Sequence, residues 1–396
     1  MSTSPDGMKI LFVIDSLGAG GAERSLAELL PALEDAGIEP IIACLDHRTY
    51  GVEAEVVASG ADVRFLPRRP IARLRGLRRI VAEESPDLIH TTILASNLVG
   101  RLASIGTRVK VLTSLVNTPY APIRKQDPRV RPMALAAVRL VDIATARRLT
   151  DHFHAITEAV KSWAVADMGI DPSLITVVHR GRDPDRLGET GPERRRSARR
   201  ALGLQDDDQV VLTVGRQEFQ KGQRYLLEAV AALAPSRPHL RLLMAGRRGA
   251  SSPELERLLA SPGLAGRVHV LGHREDVPDL LAASDLFAFP SLFEGLGGSV
   301  LEAMALGLPI VASDLPAVRE IVEEGKNALL VPIEDQDQLA EAIDRVLQDP
   351  NLARAFGQRS REIFLERFTS TRSTEAMIDL YRHLANGSTR HVAGAR

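Results

Sequence analysis

Short apolar runs alternate with amphipathic helical stretches along most of this 396-residue chain. Residues 10–14 are continuously apolar, as in a parallel strand buried on both faces, and helix-spaced leucines follow in residues 23–36. Such alternation is typical of a parallel sheet covered by helices and predicts an α/β fold. The strands predicted in the first half are residues 9–14, 39–45, 63–65, 88–90, 110–115 and 152–156.

The alternation restarts after a charged segment with proline and glycine, residues 181–191. Because the chain exceeds the usual size of one core, we expect two Rossmann-like domains with a ligand-binding cleft between them. The predicted domains are residues 1–184 and 185–371, and residues 372–396 are predicted to form a C-terminal helix that crosses back to the first domain, followed by a flexible tail. The strands predicted in the second half are residues 209–214, 240–244, 268–271, 286–289, 309–312 and 328–331.

Charge and composition exclude several classes of protein. The formal net charge of −1 does not indicate a nucleic-acid partner. The single cysteine, Cys44, excludes a disulfide within the chain, and its apolar neighbours predict a buried strand position. Residues 1–7 are polar, and no apolar stretch reaches the roughly 18 residues that a membrane-spanning helix needs. We therefore expect a cytoplasmic protein.

A glycine-rich turn follows the first predicted strand. Gly18, Gly20 and Gly21 precede a helix whose N-terminal amides would attract an anion. The spacing does not match a dinucleotide fingerprint, because Glu23 stands where the third glycine should be. We expect Gly20 and Gly21 to contact a phosphate or a substrate; the alternative is a turn that serves chain geometry alone.

Two cationic side chains follow the first strand of the second half. Arg216 and Lys221 lie in the loop after residues 209–214. A planar guanidinium and a compact ammonium can together neutralise a diphosphate leaving group. The alternative is an ordinary solvated loop.

Two glutamates flank a second glycine-rich loop. Glu294 follows a predicted strand closely, and Glu302 lies about one turn inside the helix predicted at residues 299–306. Their carboxylates can accept hydrogen bonds from sugar and ribose hydroxyls, while the amides at the start of the helix can bind phosphate. The alternative is a pair of solvent-facing glutamates near a helix end.

These motifs together resemble the retaining GT-B glycosyltransferases of family 4, also called glycosyl transferases group 1. Glu294 and Glu302, followed by Ala-Met-Ala, are similar to the E-x7-E signature of that family. Residues 215–222 are similar to its diphosphate motif, residues 20–24 to its N-terminal loop and residues 175–183 to its interdomain linker. The resemblance keeps the order of the family from about residue 9 to residue 385.

The resemblance implies a role for each matching residue. Glu294 would contact the hydroxyls of the donor sugar, and Glu302 the ribose of the nucleotide. Arg216 and Lys221 would stabilise the diphosphate charge that develops as the donor breaks. His90, at the end of a predicted strand, is a further catalytic candidate, with a structural role as its alternative. The other residues expected to bind the donor are Gly20, Gly21, His273, Val277, Gly297, Gly298 and Ser299.

The resemblance also implies the chemistry. We expect retention of the anomeric configuration, by same-face attack with the leaving phosphate as base, without a metal or other cofactor. The expected donor is a UDP- or GDP-sugar, and the expected acceptor is a glycan, a lipid-linked molecule or a small molecule, in cell-surface polysaccharide or glycolipid biosynthesis. The chain departs from the family at Thr92, where a second histidine is usual, and at Leu296, where phenylalanine is common.

Some segments have other interpretations. Asp183 and Asp185, and residues 206–208, resemble Asp-x-Asp metal sites, although acidic turn residues of this kind are common by chance. The six arginines between Arg68 and Arg79 predict either contact with an anionic membrane, such as the inner face of the plasma membrane, or a solvated helix face. The alternative functions are a catalytically silent nucleotide-sugar-binding protein and a GT-B nucleotide-sugar epimerase.

Overall fold

A computed structural model of the chain describes residues 7–387, which form two compact units. Within that range, the first unit holds the residues up to Tyr120, Val130–Gly181 and the residues from Ser370 onward. The second unit holds Ala121–Arg129 and Arg182–Thr369. The predicted flexible tail begins at Asn386, which ends the last helix, and the residues after 387 lie outside the described residues.

The first unit is built on a seven-stranded parallel sheet with the order β3-β2-β1-β4-β5-β6-β7. The six strands predicted for the first half of the chain are confirmed to within one or two residues. The seventh strand, β7, is short and lies in the segment that resembles the interdomain linker of the family. The strands are β1 (Met8–Ile14), β2 (Ile38–Cys44), β3 (Asp62–Phe65), β4 (Leu88–Thr92), β5 (Lys110–Leu115), β6 (His152–Ala155) and β7 (Ile175–Val177).

Helices cover both faces of this sheet, as the buried apolar strands require. They are α1 (Gly21–Asp35), α2 (Glu53–Ala58), α3 (Pro70–Glu84), α4 (Leu94–Ala103), α5 (Pro132–Leu149) and α6 (Glu158–Met168). Leu26, Leu30 and Leu33 of α1 pack on β1 and β2 in one core cluster. Cys44 of β2 is buried in the same cluster, and burial raises the pKa of its thiol to about 12.

The last helix of the chain completes the first unit. This helix, α16, comprises Ser370–Asn386. It contributes four buried side chains to the core cluster of α1: Met377, Ile378, Leu380 and Tyr381. The predicted return of the C-terminal helix to the first domain is therefore confirmed.

The second unit is built on a six-stranded parallel sheet with the order β10-β9-β8-β11-β12-β13. The strands are β8 (Gln209–Val214), β9 (Leu240–Ala245), β10 (Val268–Gly272), β11 (Leu286–Phe289), β12 (Ile310–Ser313) and β13 (Ala328–Val331). All six agree with the predicted strands to within one residue.

Nine helices of the second unit are described. They are α7 (Pro184–Leu187), α8 (Pro192–Ala201), α9 (Gln223–Leu233), α10 (Ser252–Leu259), α11 (Val277–Ala283), α12 (Gly298–Ala305), α13 (Pro316–Arg319), α14 (Gln336–Gln348) and α15 (Pro350–Arg367). Helices α9 and α14 pack against each other, and Leu226, Val230 and Ile343 are fully buried in their shared core. None of the helices between residues 7 and 387 is long and apolar enough to span a membrane.

Each sheet has one switch point, at which the strands that follow in sequence begin to be added on the other side of the first strand. In the first unit this switch point lies between β1 and β4, and in the second unit between β8 and β11. In open α/β sheets, ligands bind outside the carboxyl ends of the strands at such points. The two switch points are therefore where functional side chains are expected.

Candidate functional site

The main predicted site residues lie at the switch point of the second unit. Arg216 and Lys221 follow β8, while Glu294 follows β11, the strand that pairs directly with β8 through Leu286 and Val211. Because the two strands are parallel neighbours, the loops after them leave the sheet side by side. The fold thus brings together two loops that are about seventy residues apart in sequence.

Lys221 and Glu294 form an ion pair across these loops. The Lys221 Nζ donates to Glu294 Oε1 at 2.5 Å, with both side chains largely removed from solvent. The same ammonium lies 5.3 Å from the centroid of the Phe289 ring, within the range of a cation–π contact. The position of the Lys221 charge is therefore set by a carboxylate and by an aromatic face.

A close backbone approach keeps the two loops in register. Gln220 O accepts a hydrogen bond from Leu292 N at 2.8 Å, and Gln220 Nε2 donates to Phe293 O at 2.9 Å. Gly222 follows with a φ of +56°, and a Cβ at this position would lie 2.0 Å from Pro290 O. Only glycine fits there, because both the backbone angle and the contact exclude a side chain.

The glycine-rich loop after β11 leads directly into α12. Gly297 caps this helix with a φ of +102°, and its carbonyl accepts from Val300 N at 2.9 Å and from Leu301 N at 3.3 Å. The amides of Gly298 and Ser299 precede these bonded amides in the first turn, where a helix has no internal acceptor for them. This end of α12 is therefore suited to bind an anion.

Glu302 is held by Arg182, a residue that the sequence did not single out. Arg182 Nε donates to Glu302 Oε1 at 2.9 Å, and the Arg182 side chain is 4% exposed. A Cβ at Gly298 would lie 2.2 Å from Arg182 Nη2, so the absence of a side chain there leaves room for the guanidinium. Arg182 stands in the predicted linker motif, but no spacing rule connects it with Glu302, 120 residues later.

The remaining predicted residues of the second unit lie along the same sheet edge. Arg216 is exposed directly after β8. His273 follows β10 and is exposed, and Val277 begins α11. Since β9 lies between β10 and β8, the end of β10 that carries His273 is two strands further from the switch point than the end of β8 that carries Lys221.

Gly20 and Gly21 lie at the switch point of the first unit. Gly20 caps α1, and Gly21 is its first residue. The carboxylate of Glu23 folds back over this end, because a Cβ at Gly20 would lie 2.2 Å from Glu23 Oε2. The N-terminal end of α1, which would attract an anion, therefore already has the Glu23 carboxylate beside it.

His90 lies in the middle of β4, not at its end as predicted, on the other side of that switch point, and it belongs to a buried hydrogen-bond network. His90 Nδ1 lies 2.9 Å from Tyr381 Oη, and His90 Nε2 lies 2.7 Å from Ser114 Oγ. Ser114 Oγ lies 2.9 Å from His154 Nδ1, and His154 Nε2 lies 2.9 Å from Val178 O. These contacts join β4, β5, β6 and the C-terminal helix.

The carbonyl group of Val178, at one end of this network, sets the direction of each hydrogen bond along it. Val178 O can only accept, so His154 Nε2 donates, and in the neutral ring that burial favours, Nδ1 then accepts from the Ser114 hydroxyl. Ser114 Oγ then accepts from His90 Nε2, and His90 Nδ1 accepts from the Tyr381 hydroxyl. Both imidazoles are neutral in this arrangement.

Burial favours the same protonation states. Burial lowers the pKa of His90 well below its ordinary value and lowers that of His154 to about 4, although the hydrogen bond to Val178 O opposes the second shift. Burial also raises the pKa of Tyr381, which keeps its hydroxyl protonated. Because both ring nitrogens of His90 are already hydrogen-bonded, this geometry favours a positioning role over direct contact with a substrate.

A pocket opens beside this network within the first unit. Its walls come from the end of β1, from α1, from His90 and Ser114, and from Thr374 and Met377 of the C-terminal helix. Arg180 also lines it. The pocket combines apolar walls with hydroxyl groups at the switch point, which is the composition expected of a small-molecule site.

The two acidic segments lie in different places: Asp183 directly follows Arg182 of the site, whereas residues 206–208 precede β8 at the opposite edge of the second sheet. Asp183 caps the short helix α7 and accepts from Asp185 N, so this pair forms a capping turn. Asp207 and Asp208 precede β8, and with His239 they form the group of potential metal ligands found among the described residues. They stand at the amino ends of the strands, and Asp208 already lies 3.1 Å from the Arg241 guanidinium.

Two family models match the chain and together span most of it. Residues 19–186 match the model described as Glycosyltransferase Family 4. Residues 194–363 match the model described as Glycosyl transferases group 1. The second match contains Arg216, Lys221, Glu294 and Glu302.

Individual proteins are similar over much of their length. The D-inositol 3-phosphate glycosyltransferase of Gordonia bronchialis is 31% identical over 346 residues, which are 81% of this chain and 72% of that protein. The alpha-D-kanosaminyltransferase of Streptomyces kanamyceticus is 26% identical over 284 residues, 65% of this chain and 73% of its own length. The crystal structure of Anabaena Alr3699/HepE in complex with UDP-glucose has the same fold, with a TM-score of 0.82 at 24% identity over 95% of this chain and 99% of that one.

Proposed function

This chain belongs to the group 1, family 4 glycosyltransferases of the GT-B fold, and we propose that it transfers a sugar from a nucleotide-sugar to an acceptor with retention of the anomeric configuration. The observation that carries this proposal is the Lys221–Glu294 ion pair at the switch point of the second unit. This pair places a cation that can bind a diphosphate next to a carboxylate that can accept a hydrogen bond from a sugar hydroxyl.

The charges of the site suit an anionic donor. Glu294 is compensated by Lys221, and Glu302 by Arg182, so neither carboxylate would repel a diphosphate strongly. Arg216 and the amides of Gly298 and Ser299 add positive character beside them. In our proposal the diphosphate contacts Lys221, Arg216 and the start of α12, Glu294 accepts from sugar hydroxyls, and Glu302 accepts from the ribose.

The reaction breaks the bond between the anomeric carbon and the diphosphate oxygen. An acceptor hydroxyl attacks the anomeric carbon from the face that the diphosphate leaves, and a phosphate oxygen takes the hydroxyl proton. Lys221 and Arg216 stabilise the negative charge on the departing diphosphate, which is greatest after the bond has lengthened. We propose that no metal is needed, because these cations and the helix end supply the positive charge.

The donor and the setting are proposed from the relatives. HepE was crystallised with UDP-glucose, which supports a UDP-sugar as the first donor to test; a GDP-sugar is the second. We propose a glycan, lipid-linked or small-molecule acceptor in surface polysaccharide or glycolipid assembly, with the enzyme cytoplasmic and peripheral on the inner face of the plasma membrane. The exposed arginines Arg68, Arg69, Arg75 and Arg79 support the membrane contact.

Donor binding and turnover test the reaction. Calorimetry with a panel of UDP-, GDP- and ADP-sugars should give tight binding for one nucleotide, and that donor should release its nucleoside diphosphate when acceptor or water is present. Binding without any release of diphosphate would instead favour a silent nucleotide-sugar-binding protein. Conversion of the donor into its epimer, with free nucleotide as a minor product, would favour the epimerase.

A further inference from the structure

Helix α5 of the first unit buries a charged side chain and exposes several large apolar side chains to solvent. Its buried residues are Asp142 and Ala146. Met133, Leu140 and Val141 are exposed over 88%, 69% and 52% of their areas. A surface helix of a globular protein normally turns its apolar side chains towards the core. Exposed apolar side chains such as these therefore indicate a binding surface.

A buried ion pair holds the helix in this orientation. Arg101 of α4 is fully buried, and its Nη1 donates to Asp142 Oδ1 at 2.7 Å and to Thr145 Oγ1 at 3.2 Å. The Tyr120 hydroxyl donates to Asp142 Oδ2 at 2.9 Å. Rotation of α5 that buried the apolar side would leave the Arg101 charge without its carboxylate, which is strongly unfavourable. The apolar face is therefore a fixed feature of the fold.

Positive charge surrounds the apolar face. Asp142, the one acidic residue of α5, is buried, whereas Arg131 at its N-terminus and Arg147 in its last turn are exposed. Helix α4 contacts both α3 and α5, so the three helices form one layer. In that layer α3 also exposes an apolar and a basic side chain, Ile71 and Arg75, although it exposes the acidic Glu83 as well.

We propose that α5 docks on an anionic lipid bilayer, with Met133, Leu140 and Val141 inserted at the interface and the flanking arginines beside lipid phosphates. Apolar side chains between basic ones, without exposed acidic residues, are what an interfacial helix needs. A second copy of this chain is the less suitable occupant, because a two-fold contact of this face would place arginines against arginines. This inference deepens the membrane part of the proposed function and does not depend on the donor assignment.

Sedimentation with lipid vesicles tests the proposal on the full chain, without donor. Vesicles of equimolar phosphatidylcholine and phosphatidylglycerol should bind the wild-type protein, and vesicles of phosphatidylcholine alone should bind much less. The double variant M133Q/L140Q should bind the anionic vesicles at least about tenfold more weakly, since two inserted apolar side chains are lost. The control V57Q/L365Q replaces two other exposed apolar residues outside α5 and should bind like the wild type.

Three other results would contradict membrane docking through α5. Wild-type protein that stays in the supernatant with anionic vesicles at low salt overturns it. M133Q/L140Q that binds like the control overturns the role of α5, and loss of binding in R75Q/R79Q alone would move the contact to α3. Light scattering that shows a wild-type dimer and a monomeric M133Q/L140Q, without vesicle binding, would make the occupant a second copy.

Donor turnover in vesicle-free solution separates this proposal from the proposed reaction. M133Q/L140Q should keep wild-type release of nucleoside diphosphate and a wild-type melting temperature, because both substituted side chains are exposed and lie on a helix without predicted donor residues. A protein that binds vesicles through α5 but releases no diphosphate from any donor would refute the reaction and leave the membrane contact intact.

Discussion

Arg182 and Glu302 form a hydrogen-bonded ion pair, with 2.9 Å between Arg182 Nε and Glu302 Oε1, although 120 residues separate them in the chain. Their contact joins the segment before α7 to the first turns of α12. The guanidinium is almost completely buried and the carboxylate mostly so. The orientation of Glu302, and with it the proposed ribose contact, therefore depends on a residue outside the E-x7-E motif.

A double-mutant cycle measures how strongly the two residues are coupled. Arg182→Met and Glu302→Gln should each lower the free energy of unfolding, because each leaves a poorly solvated partner without its counter-charge. The double variant should be more stable than the sum of the single changes implies, with a coupling of about 1–3 kcal/mol. The control pair Arg194 and Asp279 is more exposed and should couple by less than about 1 kcal/mol. Additive effects at Arg182 and Glu302 would contradict the assigned interaction.

Substitution of Lys221 tests the proposed stabilisation of the leaving group. Lys221→Ala should lower kcat by roughly a hundredfold or more, the range seen when one preorganised electrostatic group is removed from a transition state. Glu294→Gln should also lower turnover while it preserves binding of the nucleotide alone, which carries no sugar. Lys326→Ala is the matched control, because Lys326 is an exposed lysine of the same unit that pairs with Glu323, and it should keep wild-type turnover. Wild-type rates in Lys221→Ala would refute the assigned role.

Gly222 offers a test of the loop geometry that places Lys221. Gly222→Ala should be destabilising by more than the roughly 1–2 kcal/mol cost of a left-handed alanine, because its Cβ would also collide with Pro290 O. Gly325→Ala is the matched control, since Gly325 has a φ of +72° and nothing within 4 Å of the added Cβ. Chemical unfolding of both variants isolates the cost of the collision as their difference. Equal stability of the two would show that the loops can separate without cost.

The strands of both sheets follow from the sequence because buried parallel strands are continuous apolar runs, which the chain shows almost without interruption. Strand β7 was missed because three residues, Ile175–Val177, are too few to form a pattern. The residues after β8 and β11 were also predictable, since loops at the carboxyl ends of parallel strands carry the functional groups.

The contacts that hold those residues were not predictable in the same way. Arg182 has no periodic or spacing relationship to Glu302, and the order of hydrogen bonds through Ser114 appears only once three strands lie side by side. The outward apolar face of α5 was also invisible, because a helix pattern does not tell which side is buried. Its orientation comes from the long-range pair of Arg101 with Asp142.

The buried histidine network predicts how the stability of the first unit depends on pH. His154 is neutral in the folded protein, with its pKa lowered to about 4, whereas in the unfolded chain it gains a proton below its ordinary pKa near 6.5. The unfolded state therefore binds more protons between these values, so the stabilisation is present above about pH 6.5 and is lost as the pH falls towards about 4. The melting temperature should fall across this window, and the fall should be smaller in His154→Gln. A His154→Gln profile that is as steep as the wild type would show that His154 does not contribute to this dependence.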